Sequence, residues 1–182
     1  SDYNNKRLTI LPNTSTTSYS LGTSIDLALA SNPTWVLIED MDADGKLDII
    51  SANSGYPYSF SIFRNIGSGG SYTFDTRVDY TVQNGYSQLG LAAIDVNNDG
   101  RLEILIGNSS SSSIEIFQNF HQSGIFTANS FKQTANILIP SFYPRNIVAA
   151  DLDGDSKNEL LVTGQGAQLK VFKYNGGNGM IS

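Results

Sequence analysis

Cysteine is absent from the 182 residues, which excludes a disulfide framework and thiol chemistry. Histidine and tryptophan occur once each, and neither zinc-ligand spacing nor a Gly-x-Ser-x-Gly nucleophile elbow is present. No apolar run approaches the roughly 18 residues that suggest a membrane span, and no leader-like segment occurs. Basic residues are scarce: 11 Lys and Arg face 17 Asp and Glu, giving a net charge of −6. That balance argues against nucleic acid as a partner, because such affinity comes from basic patches. No long helical period appears. Apolar residues make up 40% of the chain, enough for one domain-sized core.

What is present is an acidic loop written three times. The copies are Asp40-Met-Asp-Ala-Asp-Gly-Lys-Leu-Asp48, Asp95-Val-Asn-Asn-Asp-Gly-Arg-Leu-Glu103 and Asp151-Leu-Asp-Gly-Asp-Ser-Lys-Asn-Glu159, starting 55 and 56 positions apart. A fixed period of this size is the signature of a repeat architecture. Of the 17 acidic residues, 11 lie in these loops. Calcium takes six to eight oxygen ligands, and each loop offers oxygens at positions 1, 3, 5 and 9 plus a backbone carbonyl at position 7. The candidate ligands are Asp40, Asp42, Asp44, Lys46 (through its carbonyl) and Asp48 in loop one. They are Asp95, Asn97, Asp99, Arg101 (carbonyl) and Glu103 in loop two. In loop three they are Asp151, Asp153, Asp155, Lys157 (carbonyl) and Glu159. About three calcium ions are expected, and their six positive charges would cancel the net charge. Gly45 and Gly100 stand at position 6, where a sharp turn favours positive φ; loop three has Ser156 there, with Gly154 two places earlier.

An EF-hand shares the opening of this pattern but needs a bidentate Glu at position 12 and flanking helices. Position 12 is Ser51, Ile106 and Val162. The flanks, such as Trp35-Val-Leu-Ile38 and Leu47-Asp-Ile-Ile50, are short and partly β-branched and read as strands.

Each loop is preceded by an apolar strand (35–39, 89–94, 147–150) and followed by another (47–52, 102–107, 159–163). A third strand then ends in an aromatic and an asparagine: Ser61-Ile-Phe-Arg-Asn65, Glu115-Ile-Phe-Gln-Asn119 and Lys170-Val-Phe-Lys-Tyr-Asn175. Arg7-Leu-Thr-Ile-Leu-Pro-Asn13 reads as an earlier copy. In these features the chain resembles the FG-GAP/VCBS repeats of integrin α-subunit-like calcium-binding β-propellers, although it lacks a strict Phe-Gly…Gly-Ala-Pro signature. The resemblance implies an all-β fold of four-stranded blades, with each acidic loop joining the innermost strand to the second. Outer strands are then expected within 21–30, 72–82 and, on weak patterning, 126–139.

On that frame the chain is one propeller region: a partial blade over 1–33 and repeats over about 34–88, 89–144 and 145–182. About three blades make a β-propeller sector, since closure generally needs at least four. The remaining blades are expected from the same protein, or from a second copy completing a ring of about seven.

Calcium-dependent modules with weak sites suit millimolar calcium, so an extracellular or cell-surface setting is expected. The resemblance implies adhesion or the binding of a protein or glycan, without catalysis. The end opposite the acidic loops carries Tyr56, Tyr58, Tyr86, Gln88, Tyr143 and Arg145, aromatic, amide and guanidinium groups suited to a sugar or protein surface. Pro33 and Pro144, each seven residues before an acidic loop, also fit a purely structural start to an inner strand. Some propellers of this kind degrade polysaccharides, but little here supports an enzyme. His121 reads as an exposed turn residue, and the acids outside the loops, such as Asp75 and Asp79, have no catalytic context. Asn13-Thr-Ser15 and Asn108-Ser-Ser110 match the glycosylation pattern and read as chance in a Ser/Asn-rich chain.

Overall fold

The computed structural model describes residues 5–83 and 90–173. Among them every regular element is a strand, and the strands form four antiparallel sheets. The first pairs β1 (Arg7–Ile10) with β2 (Ile25–Ala28). The second runs β3 (Asn32–Glu39), β4 (Asp48–Ser54), β5 (Ser59–Phe63) and β6 (Val78–Thr81), in spatial order β3-β4-β5-β6. The third repeats this with β7 (Gly90–Ile94), β8 (Glu103–Asn108), β9 (Ser113–Asn119) and β10 (Phe131–Leu138). The fourth holds β11 (Pro144–Ala150), β12 (Glu159–Gly164) and β13 (Gln168–Phe172). The acidic loops join β3 to β4, β7 to β8 and β11 to β12.

The sheets stack because their central strands are apolar on both faces. On β8, Ile104 and Ile106 enter a core shared with Ile50, Phe60 and Phe117, while Leu105 points the other way, to Ile147 and Leu160. Successive strand side chains point to opposite faces, so one buried strand serves two neighbouring blades. On β4 likewise, Ile50 joins the first of these cores and Ile49 a smaller one with Leu8, Leu29 and Phe63. Aromatic rings fill the largest core: Phe60 stacks on Tyr80 at 4.8 Å and meets Phe117 edge-on at 5.0 Å.

The inner edges of the sheets converge. Strand β7 packs between β3 and β11, and a recess of about 330 Å³ between them is lined by Trp35, Val36, Leu91, Ala92 and Val148. This is a propeller-like arrangement of blades. Pro33 and Pro144 sit at the starts of β3 and β11, where the register slips between Pro33 and Trp35 and between Pro144 and Asn146. A proline has no N–H for the ladder, and a bulge accommodates it. The weakly patterned stretch 126–139 does contain a strand, β10, which is mostly exposed and bulged between Gln133 and Ala135. Its outer position explains the faint apolar signal. The expected positions Leu89, Tyr174 and Asn175 lie outside the described residues.

Candidate metal centre

The three acidic loops share one hydrogen-bonding scheme. The position-1 carboxylate accepts two backbone N–H groups across the turn. Asp40 takes those of Asp44 (3.1 Å) and Gly45 (2.8 Å), and Asp95 those of Asp99 (3.1 Å) and Gly100 (2.7 Å). Asp151 takes those of Gly154 (2.7 Å) and Ser156 (2.9 Å). The position-9 carboxylate reaches back to the N–H of position 2: Asp48 to Met41 (3.0 Å), Glu103 to Val96 (3.0 Å) and Glu159 to Leu152 (2.9 Å). Asp48 also accepts the Asn65 N–H (2.8 Å), and Glu103 the Asn119 N–H (3.4 Å). The asparagine closing the third strand thus ties that strand to the loop. Its side chain adds a bond to the loop carbonyl, Asn65 to Leu47 (3.1 Å) and Asn119 to Leu102 (3.2 Å).

Each loop needs two left-handed residues, at positions 4 and 6. These are Ala43 and Gly45 (φ 58° and 85°), Asn98 and Gly100 (60° and 84°), and Gly154 and Ser156 (80° and 66°). Loop three has exchanged its glycine between the two positions, so Ser156 does adopt the unfavourable conformation expected of it.

Carboxylate oxygens of Asp40, Asp42 and Asp48 lie within 4.8 Å of one another, and so do those of Asp151, Asp153 and Glu159. Positions 1, 3 and 9 therefore converge in loops one and three. In loop two position 3 is the amide Asn97, whose Oδ1 accepts the Asp99 N–H at 3.0 Å. The position-5 acids turn aside. Asp44 accepts the Lys46 N–H and its ammonium, both at 3.0 Å; Asp99 accepts the Arg101 N–H (2.9 Å) and guanidinium (2.6 Å); Asp155 accepts the Lys157 N–H (2.9 Å).

Two further bases reach the loops from the third strand. Arg64 binds Asp42 through Nε and Asp44 through Nη2 (3.0 Å), and Lys173 binds Asp153. The matching residue after the third-strand phenylalanine in the middle blade is Gln118, which lines a recess with Asn97 and Glu103. The phenylalanine that precedes each of them near the end of the third strand was the only sequence signal for these residues. The donor set suits a hard divalent cation: it is all oxygen, it converges, and it carries uncompensated charge. In loop one four carboxylates face Lys46 and Arg64, in loop two three face Arg101, and in loop three four face Lys157 and Lys173. With every acid ionised, the formal balance is −2 each time.

Two of the buried position-9 acids are shifted upward, chiefly by their burial. Burial, with Asp42 and Asp44 nearby, raises Asp48 to about 6. Burial, with Asp99 and Asp95 nearby, raises Glu103 to about 7. For Asp44, burial works upward but is outweighed by its bonds to Lys46 and the charges of Lys46 and Arg64, so its pKa is lowered.

The other sequence-derived candidates scatter. Tyr56 (92% exposed) and the half-buried Tyr58, which packs against the core, lie in the β4–β5 turn. Tyr143 and Arg145 are exposed at the start of β11. Both segments are at the strand ends opposite the acidic loops. Tyr86 and Gln88 lie outside the described residues. His121 is not an exposed turn residue: it is buried, with its ring 4.5 Å from that of Phe126 and its N–H bonded to Asn119 Oδ1 at 2.9 Å. Asn119 turns the chain inward there, a local effect that residue type alone does not reveal. Asp79 is held by Arg77 (2.8 Å) and Ser61 (2.6 Å), and the Asp75 N–H bonds the Arg64 carbonyl (2.8 Å). Asn108 is fully buried and donates to Glu115 at 2.7 Å, which removes it as a glycan acceptor in the folded chain.

A family model, the FG-GAP-like repeat, matches residues 40–106, from the first acidic loop to the strand after the second. That match is consistent with the FG-GAP/VCBS repeat family. No match was found among curated proteins or among solved structures.

Proposed function

We propose that this FG-GAP-like repeat module is a calcium-stabilised propeller segment of a secreted or cell-surface protein, which binds a protein or glycan partner and performs no chemistry of its own. The observation that carries the reading is the threefold recurrence of one loop geometry with the same −2 charge balance. In loop one Asp40, Asp42 and Asp48 would hold the ion, and in loop three Asp151, Asp153 and Glu159. In loop two the ligands would be Asp95, Asn97 and Glu103, at the matching positions 1, 3 and 9. The carbonyls of Lys46, Arg101 and Lys157 are the natural main-chain ligands. A bound calcium supplies charge compensation and a fixed oxygen geometry. The chain's own residues do the rest. The position-1 acid shapes the turn, and the position-9 acid joins the inner hairpin to the third strand. Loops one and two thereby each clamp three strands of their blade.

Millimolar calcium outside the cell suits such exposed sites, which supports an extracellular setting. Tyr56, Tyr143 and Arg145, at the end away from the loops, offer ring faces and a guanidinium to a partner. Thermal melting in calcium and in chelator tests the metal. At a hundredfold excess over Kd, each site contributes about 2.7 kcal/mol, so chelation should lower the Tm by several degrees. A melting curve indifferent to chelator overturns the calcium reading. A glycan array tests the partner: binding lost in Tyr143→Ala identifies a lectin-like face, and an array without signal directs the search to proteins.

A further inference from the structure

Asp42 and Asp153, at position 3 of loops one and three, are each bonded by a base from the third strand of the same blade, Arg64 and Lys173. In loop two both members change together: position 3 is Asn97 and the third-strand residue is Gln118. A charged pair in two blades is replaced by a neutral pair in the one between them, which keeps the balance at −2 in all three. We propose that Arg64 and Lys173 are resident counter-cations that compete with the divalent ion for the position-3 carboxylate. They hold loops one and three together when the ion is absent and weaken its binding when it is present. Loop two has no such substitute and depends on the ion more heavily. This inference rests on the calcium reading above.

The competition follows from where the charges sit. Arg64 also binds Asp44, and its side chain is 18% exposed against 2% for Asp42, so little water screens the pair. A divalent ion coordinated by Asp42 must displace the guanidinium from that carboxylate or accept a like charge a few ångströms away. Lys173 and Asp153 are 58% and 40% exposed, so water screens this pair and its competition is milder. The loops are therefore graded, with the strongest internal competitor in loop one.

Arg64→Gln, which copies the middle blade, and the reciprocal pair Asn97→Asp with Gln118→Arg test this in the full chain. Calcium alone is titrated by calorimetry, and melting is followed in chelator and in calcium. Arg64→Gln should bind calcium at loop one about tenfold tighter, the effect of removing one nearby charge, and should melt lower than wild type in chelator. Its calcium-induced rise in Tm should be larger. The reciprocal pair should make loop two less dependent on calcium and raise the Tm in chelator. If wild type takes up calcium but Arg64→Gln binds it equally or more weakly, Arg64 supports the site and the competition is overturned. If neither protein takes up calcium, the calcium reading falls and the inference with it. Should Arg64→Gln fail to fold, the reciprocal pair decides: a chelator Tm no higher than wild type overturns the proposal.

Discussion

The Asn119 side chain donates to the Met41 carbonyl at 3.0 Å, joining the third strand of one blade to the acidic loop of the preceding blade across 78 positions of sequence. The same amide donates to Leu102 in its own blade (3.2 Å), and its oxygen accepts the His121 N–H (2.9 Å). One fully buried side chain therefore satisfies polar groups from two acidic loops and the turn after β9.

Replacing it tests whether the blades are coupled through their loops. Asn119→Ala leaves the Met41 and Leu102 carbonyls and the His121 N–H without this partner. Each buried group left unpaired costs about 1–3 kcal/mol. The expected loss is at least about 2 kcal/mol in denaturant unfolding, with faster hydrogen exchange in both loops. Exchange confined to loop two would show that the bond to Met41 contributes nothing to inter-blade coupling.

Much of this was legible in the sequence, because short β-branched apolar runs and a thrice-written nonapeptide are local signals. That each loop lies between two strands followed from them, and the strand order within each blade is what the family resemblance implies. Relationships depending on tertiary approach were not legible. Arg64 and Lys173 lie 20 or more residues from the acids they bind, and nothing local distinguishes them from surface bases. Position 4 was missed as a left-handed site because Ala43 breaks a pattern that Asn98 and Gly154, both suited to that conformation, would otherwise show. His121 was misjudged because a polar residue in a turn gives no sign that Phe126 will cover it.

Stability in chelator should depend on pH in an unusual direction. Asp48 and Glu103 hold protons in the folded chain up to about pH 6 and about pH 7, above their ordinary values. Glu115, buried with Oε2 unpartnered and only partly offset by its bond to Asn108, is raised as well. Between about pH 4 and 7 the folded state thus binds more protons than the unfolded one, and stability falls as pH rises. Below that window the lowered pKa of Asp44 works oppositely, so the optimum lies near its lower end. Glu115→Gln isolates the contribution outside the loops. It should be more stable than wild type at pH 7, with the difference vanishing toward pH 4, and parallel pH profiles for the two proteins would contradict the assignment.

Ser156 occupies the left-handed position that glycine holds in the other two loops. A non-glycine residue there costs roughly 1–2 kcal/mol in the folded state, partly offset because glycine loses more freedom on folding. Ser156→Gly should therefore stabilise by about 0.5–1 kcal/mol in chemical denaturation. The Asp151 carboxylate retains its bond to the backbone N–H at this position, so the loop geometry need not change. The reverse change in loop one, Gly45→Ser, should cost a similar amount. Opposite signs for the two substitutions are the diagnostic result.

The convergence of the inner strands rests on a close backbone approach at Gly90. A Cβ built there would lie 2.6 Å from the Arg145 carbonyl oxygen and 2.8 Å from the Asn146 Cα, both main-chain atoms of β11. Neither can rotate away as a side chain could, so Gly90→Ala must push β7 and β11 apart. Overpacking of this kind costs about 1–3 kcal/mol. The displaced β11 carries Ile147, part of the core between the last two sheets, and leads directly into Asp151. The strain should therefore reach loop three more than loop one. Gly90→Ala is expected to lower the Tm and to weaken calcium uptake at loop three, measured in Asp42→Ala and Asn97→Ala backgrounds that mute the other two loops. A stable Gly90→Ala protein with unchanged binding would mean that the inner strands are not packed as closely as the backbone distances indicate.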